Sequence, residues 1–114
     1  MRRGEVWWAD LGEPKGSAPA LLRPVIIVQD DLLTESKLAT VMIVPMTSNL
    51  KRAAAAGNAE IEPKDANLKV TSVALVCRVM TIDKTLLTQR VGLLPKRVMH
   101  RIDVGCRLAL GLSI

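Results

Sequence analysis

The sequence has little of several residue types on which binding sites are often built. It contains no Phe or Tyr, two Trp, two Cys and a single His in 114 residues. Cys77 and Cys106 have neither zinc-type spacing nor a disulfide framework around them, so the sequence predicts no metal site, and a reduced cytoplasm fits best. The scarcity of aromatics also argues against a nucleic-acid site built mainly on stacking platforms.

Long apolar runs are absent too. No segment approaches the length of a transmembrane helix, and the charged start at residues 1–5 is not followed by the apolar run of a signal peptide. Yet 49% of the residues are apolar and the mean hydropathy is +0.25. For a single domain covering residues 1–114, this composition predicts a sizeable protein–protein face, most simply that of a homodimer.

Basic residues outnumber acidic ones. The 16 Lys and Arg against 11 Asp and Glu give a formal net charge of +5 and a sequence pI of about 9.7. This balance favours an anionic partner. If that partner is a nucleic acid, phosphate contacts from Lys and Arg should supply most of the affinity, because so few aromatic side chains are available.

Short apolar runs separated by turn residues predict a mainly β protein. The expected strands cover residues 5–11, 23–29, 39–46, 59–63 and 71–82, with a last short one in "TQRVGLL". Pro45 is expected to end or bulge the third strand. A helical turn is expected in "DDLLTESK", and a terminal helix from Pro95 to about Leu110. This order indicates a small β-barrel-like sheet with a packed helix.

The longest predicted strand, 71–82, contains one charge in an apolar run. Alternation places Arg78 on the same face as Ala74, Val76 and Met80. A charge there must reach an edge, an interface or a ligand.

The terminal helix is expected to be amphipathic. Its packed face should carry Val98, Ile102, Cys106 and Ala109. His100 falls on the opposite, solvent-facing side, which makes it a poor candidate for a catalytic base.

Two loops place polar residues beside apolar strands. In "GSAPALLRPVIIV", Pro24 holds Arg23 extended at the start of a buried strand, where functional side chains are often presented. Taken alone, this position is more often that of a residue that solvates a strand end. In "TSNLKRAAAAGN", Lys51 and Arg52 either contact phosphates or belong to a solvated surface loop.

The two tryptophans are adjacent in the first strand. Trp7 and Trp8 must therefore point to opposite faces. One is expected in the core, and the other against a groove or a dimer face.

The segments "RGEVWWADL", "GSAPALLRPVIIV", "VPMTSN" and "TIDKTLL…RVG" follow one another in an order and spacing that resemble MazF/PemK-type toxins of bacterial type II toxin–antitoxin systems. The resemblance covers nearly the whole chain. It implies an SH3-like (CcdB/PemK-type) β-barrel with a C-terminal helix, and a homodimer. It also implies sequence-specific cleavage of single-stranded RNA without metal or cofactor. A partner antitoxin, whose C-terminal segment wraps over the RNA groove, is the implied inhibitor.

The resemblance assigns catalysis to Arg23 in "LLRPV" and to Thr47 in "PMTSN". A guanidinium can bind two phosphate oxygens at once, and a hydroxyl can donate a further hydrogen bond. The other expected RNA contacts are Lys15, Ser17, Ser48, Asn49, Lys51, Arg52 and Arg78.

The chain also departs from the family pattern. Some members carry an acidic residue or histidine where this chain has Ser17-Ala18, an Asp near Cys77, and Gln near Arg78. The sequence therefore identifies no general base. Two other functions stay open: a CcdB-like toxin that binds a protein, and an SH3-like module that binds RNA or protein with weak or no catalysis.

Overall fold

The computed structural model describes residues 1–12 and 22–113. The strands are β1 (Glu5–Asp10), β2 (Leu22–Ile27), β3 (Thr40–Thr47), β4 (Ala59–Ile61), β5 (Ser72–Ala74), β6 (Met80–Asp83) and β7 (Leu87–Leu93). The helices are α1 (Asp31–Glu35), α2 (Pro63–Ala66) and α3 (Lys96–Leu110), and 3₁₀ turns form at Leu50–Ala54, Val76–Arg78 and Lys84–Leu86. In this described part, no helix has both the length and the apolarity to cross a membrane.

The strands form one antiparallel sheet in the order β4-β5-β3-β2-β1-β7, with β6 paired to β3 beside β5. The predicted barrel-like β fold with a C-terminal helix is confirmed. Among the described residues, β4 and β7 are the two edge strands of the sheet and are not paired with each other. The barrel is therefore open between them.

Both faces of the central strands are buried. In β2, Ile26 belongs to a cluster under α3 that includes Val98 and Ile102, whereas Val25 and Ile27 belong to a second cluster on the other face. All of these side chains are fully buried. The run of β-branched residues after Pro24 is therefore a strand covered on two sides, as the sequence predicts. This rigid element carries Arg23 near its start.

The predicted strand 71–82 is wrong as one continuous element. It is divided into β5 and β6 by the 3₁₀ turn Val76–Arg78, and both halves pair with the same edge of β3. Met46 pairs with Ala74 and Ile43 pairs with Met80, so the two residues of β3 between these pairs face five residues of the other chain segment. The additional residues of this segment form the 3₁₀ turn. Arg78 therefore lies in the turn and does not share the predicted strand face with Met80.

Pro45 does not end the third strand, and no bulge forms there. It pairs with Val25, and its carbonyl oxygen accepts a hydrogen bond of 2.9 Å from the backbone N–H of Leu75. Proline lacks only the donor of the backbone pair, so β3 continues through it to Thr47.

The terminal helix follows the prediction closely until its last turns. Pro95 is the N-cap, Val98 and Ile102 are buried, and His100 is exposed. The expected packed face fails at Ala109, because all four residues of the last turn, from Arg107 to Leu110, are exposed. The buried residue in this region is Gly105.

Candidate functional site

A groove of about 620 Å³ crosses one end of the sheet. It lies where β1, β2 and β3 meet the segment that follows α2. Its described lining consists of Trp8, Leu22, Arg23, Pro24, Met46, Thr47, Ser48, Asn67, Leu68, Lys69, Val70, Ser72 and Val91. Arg23 and Lys69 are the charged residues of this lining, which contains no carboxylate and no imidazole. An anionic ligand is therefore favoured.

Strand pairing brings Arg23 and Thr47 together. β2 and β3 pair in the register Val25 with Pro45 and Ile26 with Val44. This pairing ends two residues before Arg23 and Thr47, and both of these residues line the groove. The Arg23 guanidinium forms no hydrogen bond or ion pair within residues 1–12 and 22–113, so its donors face no competing protein acceptor there.

The end of β3 orients the Thr47 hydroxyl. The backbone N–H of Asn49 donates a hydrogen bond of 3.2 Å to Thr47 Oγ1. Because the hydroxyl oxygen accepts this bond, its own hydrogen is free to donate toward the groove. Ser48, which is exposed between them, places a second hydroxyl in the lining.

Asn49, an expected RNA contact, is exposed and also has a structural task. Its side-chain oxygen caps the 3₁₀ turn Leu50–Ala54 by accepting a hydrogen bond of 3.2 Å from the backbone N–H of Lys51. Lys51 and Arg52 lie exposed on that turn and do not line the groove. Arg78 is likewise exposed, at the end of the 3₁₀ turn Val76–Arg78, and lies outside the groove lining. Lys15 and Ser17 lie outside the described residues.

Irregular pairing shapes the wall formed by β1 and β7. The register shifts on both sides of the tryptophan pair, between Val6 and Trp7 and again between Trp8 and Ala9. Two β7 residues, Thr88 and Val91, are consequently left without a partner in β1. Bulges of this kind redirect side chains beside binding sites. Here Val91 lines the groove, and the Thr88 hydroxyl donates a hydrogen bond of 3.2 Å to the carbonyl of Trp8.

A second wall follows α2 and was not predicted from the sequence. Asn67 ends α2 in the left-handed conformation, with φ 56°, and its amide donates a hydrogen bond of 2.8 Å to the carbonyl of Val91. Gly92 leaves room for this approach, since a Cβ there would lie 3.1 Å from Asn67 Cβ. The contact fixes the start of the wall that carries Lys69.

The two tryptophans occupy different environments, as alternation along β1 predicts. Trp7 packs against the second cluster, and its indole N–H donates a hydrogen bond of 3.0 Å to Glu5 Oε1. Arg90 also binds Glu5, with 3.0 Å between Nε and Oε2. Burial acts to raise the pKa of Glu5, but the bonds from Trp7, Arg90 and the Arg2 backbone outweigh it and hold this pKa below its ordinary value. Glu5 is thus an ionised structural carboxylate.

Comparison with known proteins agrees with this arrangement. Residues 2–110 match the family described as PemK-like, MazF-like toxin of type II toxin–antitoxin system. The chain is 44% identical over 112 residues to endoribonuclease MazF2 of Mycobacterium bovis, covering 98% of both chains. It is 34% identical over 114 residues to endoribonuclease MazF of Staphylococcus epidermidis, covering 99% of this chain and 93% of that one.

A solved structure supports the fold. A mycobacterial endoribonuclease in complex with its cognate antitoxin superposes with a TM-score of 0.81 at 24% identity, covering 100% of this chain and 98% of that one. Fold and groove therefore define a protein of the small SH3-like barrel class with a cationic groove. The chain belongs to the PemK/MazF family of type II toxin–antitoxin toxins.

Proposed function

We propose that this protein is an endoribonuclease toxin that cleaves single-stranded RNA at specific sequences without metal or cofactor, and that a cognate antitoxin inhibits it by covering the groove. The observation that carries this proposal is that Arg23 and Thr47, from neighbouring strands, line one groove whose described residues include cations and no carboxylate. The two relatives at 44% and 34% identity are both named endoribonucleases. We also propose that the protein acts in the reducing cytoplasm, where cysteines stay free as Cys77 and Cys106 do here.

The proposed chemistry uses the RNA's own 2′-hydroxyl. Its oxygen attacks the adjacent phosphorus and loses its proton, the bond from phosphorus to the 5′-oxygen breaks, and that oxygen gains a proton. The products are a 2′,3′-cyclic phosphate and a 5′-hydroxyl. Negative charge grows on the non-bridging oxygens during attack, and donors that are held in place stabilise it strongly.

Arg23 and Thr47 are the donors we assign to those oxygens. The guanidinium offers two parallel N–H groups, and Pro24 with the buried strand behind it limits its movement. The Thr47 hydroxyl, oriented by the Asn49 N–H, adds a further donor. The described lining holds no carboxylate or imidazole to accept the 2′ proton, so the roles assigned to these two residues are electrostatic.

The deciding experiment is incubation of purified protein with single-stranded RNA in excess EDTA, followed by sequencing of the fragment ends and analysis of their chemistry. Recurrent cut sites with cyclic phosphate ends are expected. Intact RNA would reject the nuclease proposal and leave the CcdB-like protein-binding toxin or a catalytically weak SH3-like binding module.

We also propose a homodimer. Large apolar side chains remain exposed outside the core, among them Leu32, Leu33, Leu108 and Leu112. Exposed apolar surface of this kind favours association. Sedimentation at micromolar concentration should show a species of twice the chain mass, and monomer alone would contradict this.

A further inference from the structure

We propose that the indole of Trp8 is a stacking platform for one nucleobase of the bound RNA, and that Lys69, on the wall that follows α2, contacts a phosphate of the same strand. The inference rests on the proposed function and adds a subsite beside Arg23 and Thr47. All four residues line one groove.

The first support is the contrast between the two tryptophans. Trp7 has a structural task, since its indole N–H is bonded to Glu5 and its ring packs on the second cluster. Trp8 is half-buried, and its indole makes no hydrogen bond within the described residues. The chain thus places one of its two aromatic rings at the groove without a structural bond.

The second support is the way in which Trp8 is held. β1 lies between two strands, so Trp8 is paired with Pro24 on one side and with Gln89 on the other. Register shifts bracket the tryptophan pair, and Thr88 bonds to the Trp8 carbonyl. Because the Trp8 backbone is fixed in this way, only its two side-chain torsions have to be ordered when a base stacks on the ring.

The third support is the alternation of apolar and cationic groups. Leu68, Lys69 and Val70 follow Asn67, whose bond to the Val91 carbonyl anchors the start of this segment at β7. A single-stranded nucleic acid alternates flat apolar bases with anionic phosphates, and a basic groove with an aromatic surface matches both. An apolar peptide would need the ring but neither cation, so the lining favours a nucleotide.

The test uses Trp8 as its own reporter. In a Trp7→Phe background the fluorescence comes from Trp8 alone, because the chain has two Trp and no Tyr. The probe is a short end-labelled single strand that carries the mapped cleavage sequence with 2′-deoxyribose at the cut position, so that it binds without being cut. Fluorescence quenching should follow the same titration curve as the anisotropy of the label.

Substitutions then measure the contribution of stacking. Trp8→Ala should bind this strand about 5- to 150-fold more weakly, the range expected for one stacked base, and Trp8→Phe should keep most of the affinity. Replacing a single base of the strand by an abasic residue should weaken its binding to the parent protein by a similar factor. The same replacement should not weaken binding to Trp8→Ala any further. Lys69→Gln should flatten the dependence of log affinity on log salt by about one unit.

The outcomes separate this inference from the proposed function. Unchanged Trp8 fluorescence on a strand that binds, or equal affinity for Trp8→Ala and the parent, would overturn the stacking site while cleavage in EDTA still stood. The fluorescence measurement keeps Trp8 in place, so it tests the stacking site even if Trp8→Ala folds poorly. An unchanged salt slope in Lys69→Gln would overturn the phosphate contact. A parent that binds no single strand would overturn both proposals.

Discussion

Gly105 of α3 lies directly against the backbone carbonyl of Gly57, with no room for a side chain between them. A Cβ on Gly105 would overlap that oxygen, and a Cβ on Gly57 would lie 3.2 Å from the Gly105 carbonyl oxygen. Gly57 also has a φ of +86°, which a side chain would strain. The contact fixes the second half of α3 against the loop that leads from the groove to β4.

Gly105→Ala should therefore destabilise the protein, although alanine is the better helix former. Intrinsic propensity would favour the substitution by about 1 kcal/mol, whereas forcing a methyl group into packed backbone costs roughly 1–3 kcal/mol. We expect a net loss in the free energy of unfolding, measured by urea denaturation. Val104→Ala, at the exposed neighbouring position, is the matched control and should stay within about 0.5 kcal/mol of the parent.

Arg23→Ala should lower the single-turnover cleavage rate in EDTA by about 10²–10³-fold, the usual effect of removing one preorganised donor to a developing oxyanion. The variant should stay folded, because Arg23 forms no hydrogen bond or ion pair with the described residues. A melting temperature close to that of the parent would establish this.

Arg23→Lys separates charge from geometry. Lysine keeps the charge but lacks the planar fork that binds two oxygens, so cleavage should not recover. Full activity of the lysine variant would reject bidentate binding, and near-parental cleavage by Arg23→Ala would remove Arg23 from the mechanism and direct attention to Arg78.

The basic 3₁₀ turn after Thr47 gives a third prediction. If Lys51 and Arg52 contact phosphates, their double alanine variant should flatten the salt dependence of RNA binding by about one unit per lost contact. Neither residue lines the groove, so these contacts would be made by RNA extending beyond it. An unchanged slope would identify the turn as plain surface.

Glu5→Gln should destabilise the protein at neutral pH by about 1.5 kcal/mol. This value is the low end of the range for hydrogen bonds to a charged group, and it applies because solvent screens the half-exposed Arg90. The folded pKa of Glu5 lies below its ordinary value of 4.5. Its stabilisation is thus fully present above that value and is lost as the pH falls through the folded pKa.

The difference in unfolding free energy between parent and Glu5→Gln should accordingly shrink below about pH 4.5. Denaturation across this pH range measures it. Glu62→Gln is the control, since Glu62 is exposed and pairs with Lys64 at 3.5 Å; it should show little effect at any pH. A difference for Glu5→Gln that stays constant down to acid pH would contradict the assignment of Glu5 as an ionised group.

Local patterns were sufficient to predict most of the elements. The β-branched run after Pro24 and the spacing of Val98 and Ile102 each identify an element whose burial the structure bears out. The break at Val76–Arg78 could not be read from the sequence, because it results from two segments sharing one edge of β3. The wall containing Asn67 and Lys69 was missed for a similar reason, since it depends on a long-range bond to Val91.

The two bulges of β7 determine which of its side chains lie on each face of the sheet. One added residue reverses the inside–outside alternation of everything beyond it, and a second added residue reverses it back. Only the short stretch between the bulges, Gln89 and Arg90, therefore has its alternation inverted relative to the rest of β7. This local inversion brings Arg90 opposite Trp7 and within reach of Glu5, and the rest of β7 keeps the alternation that the core requires.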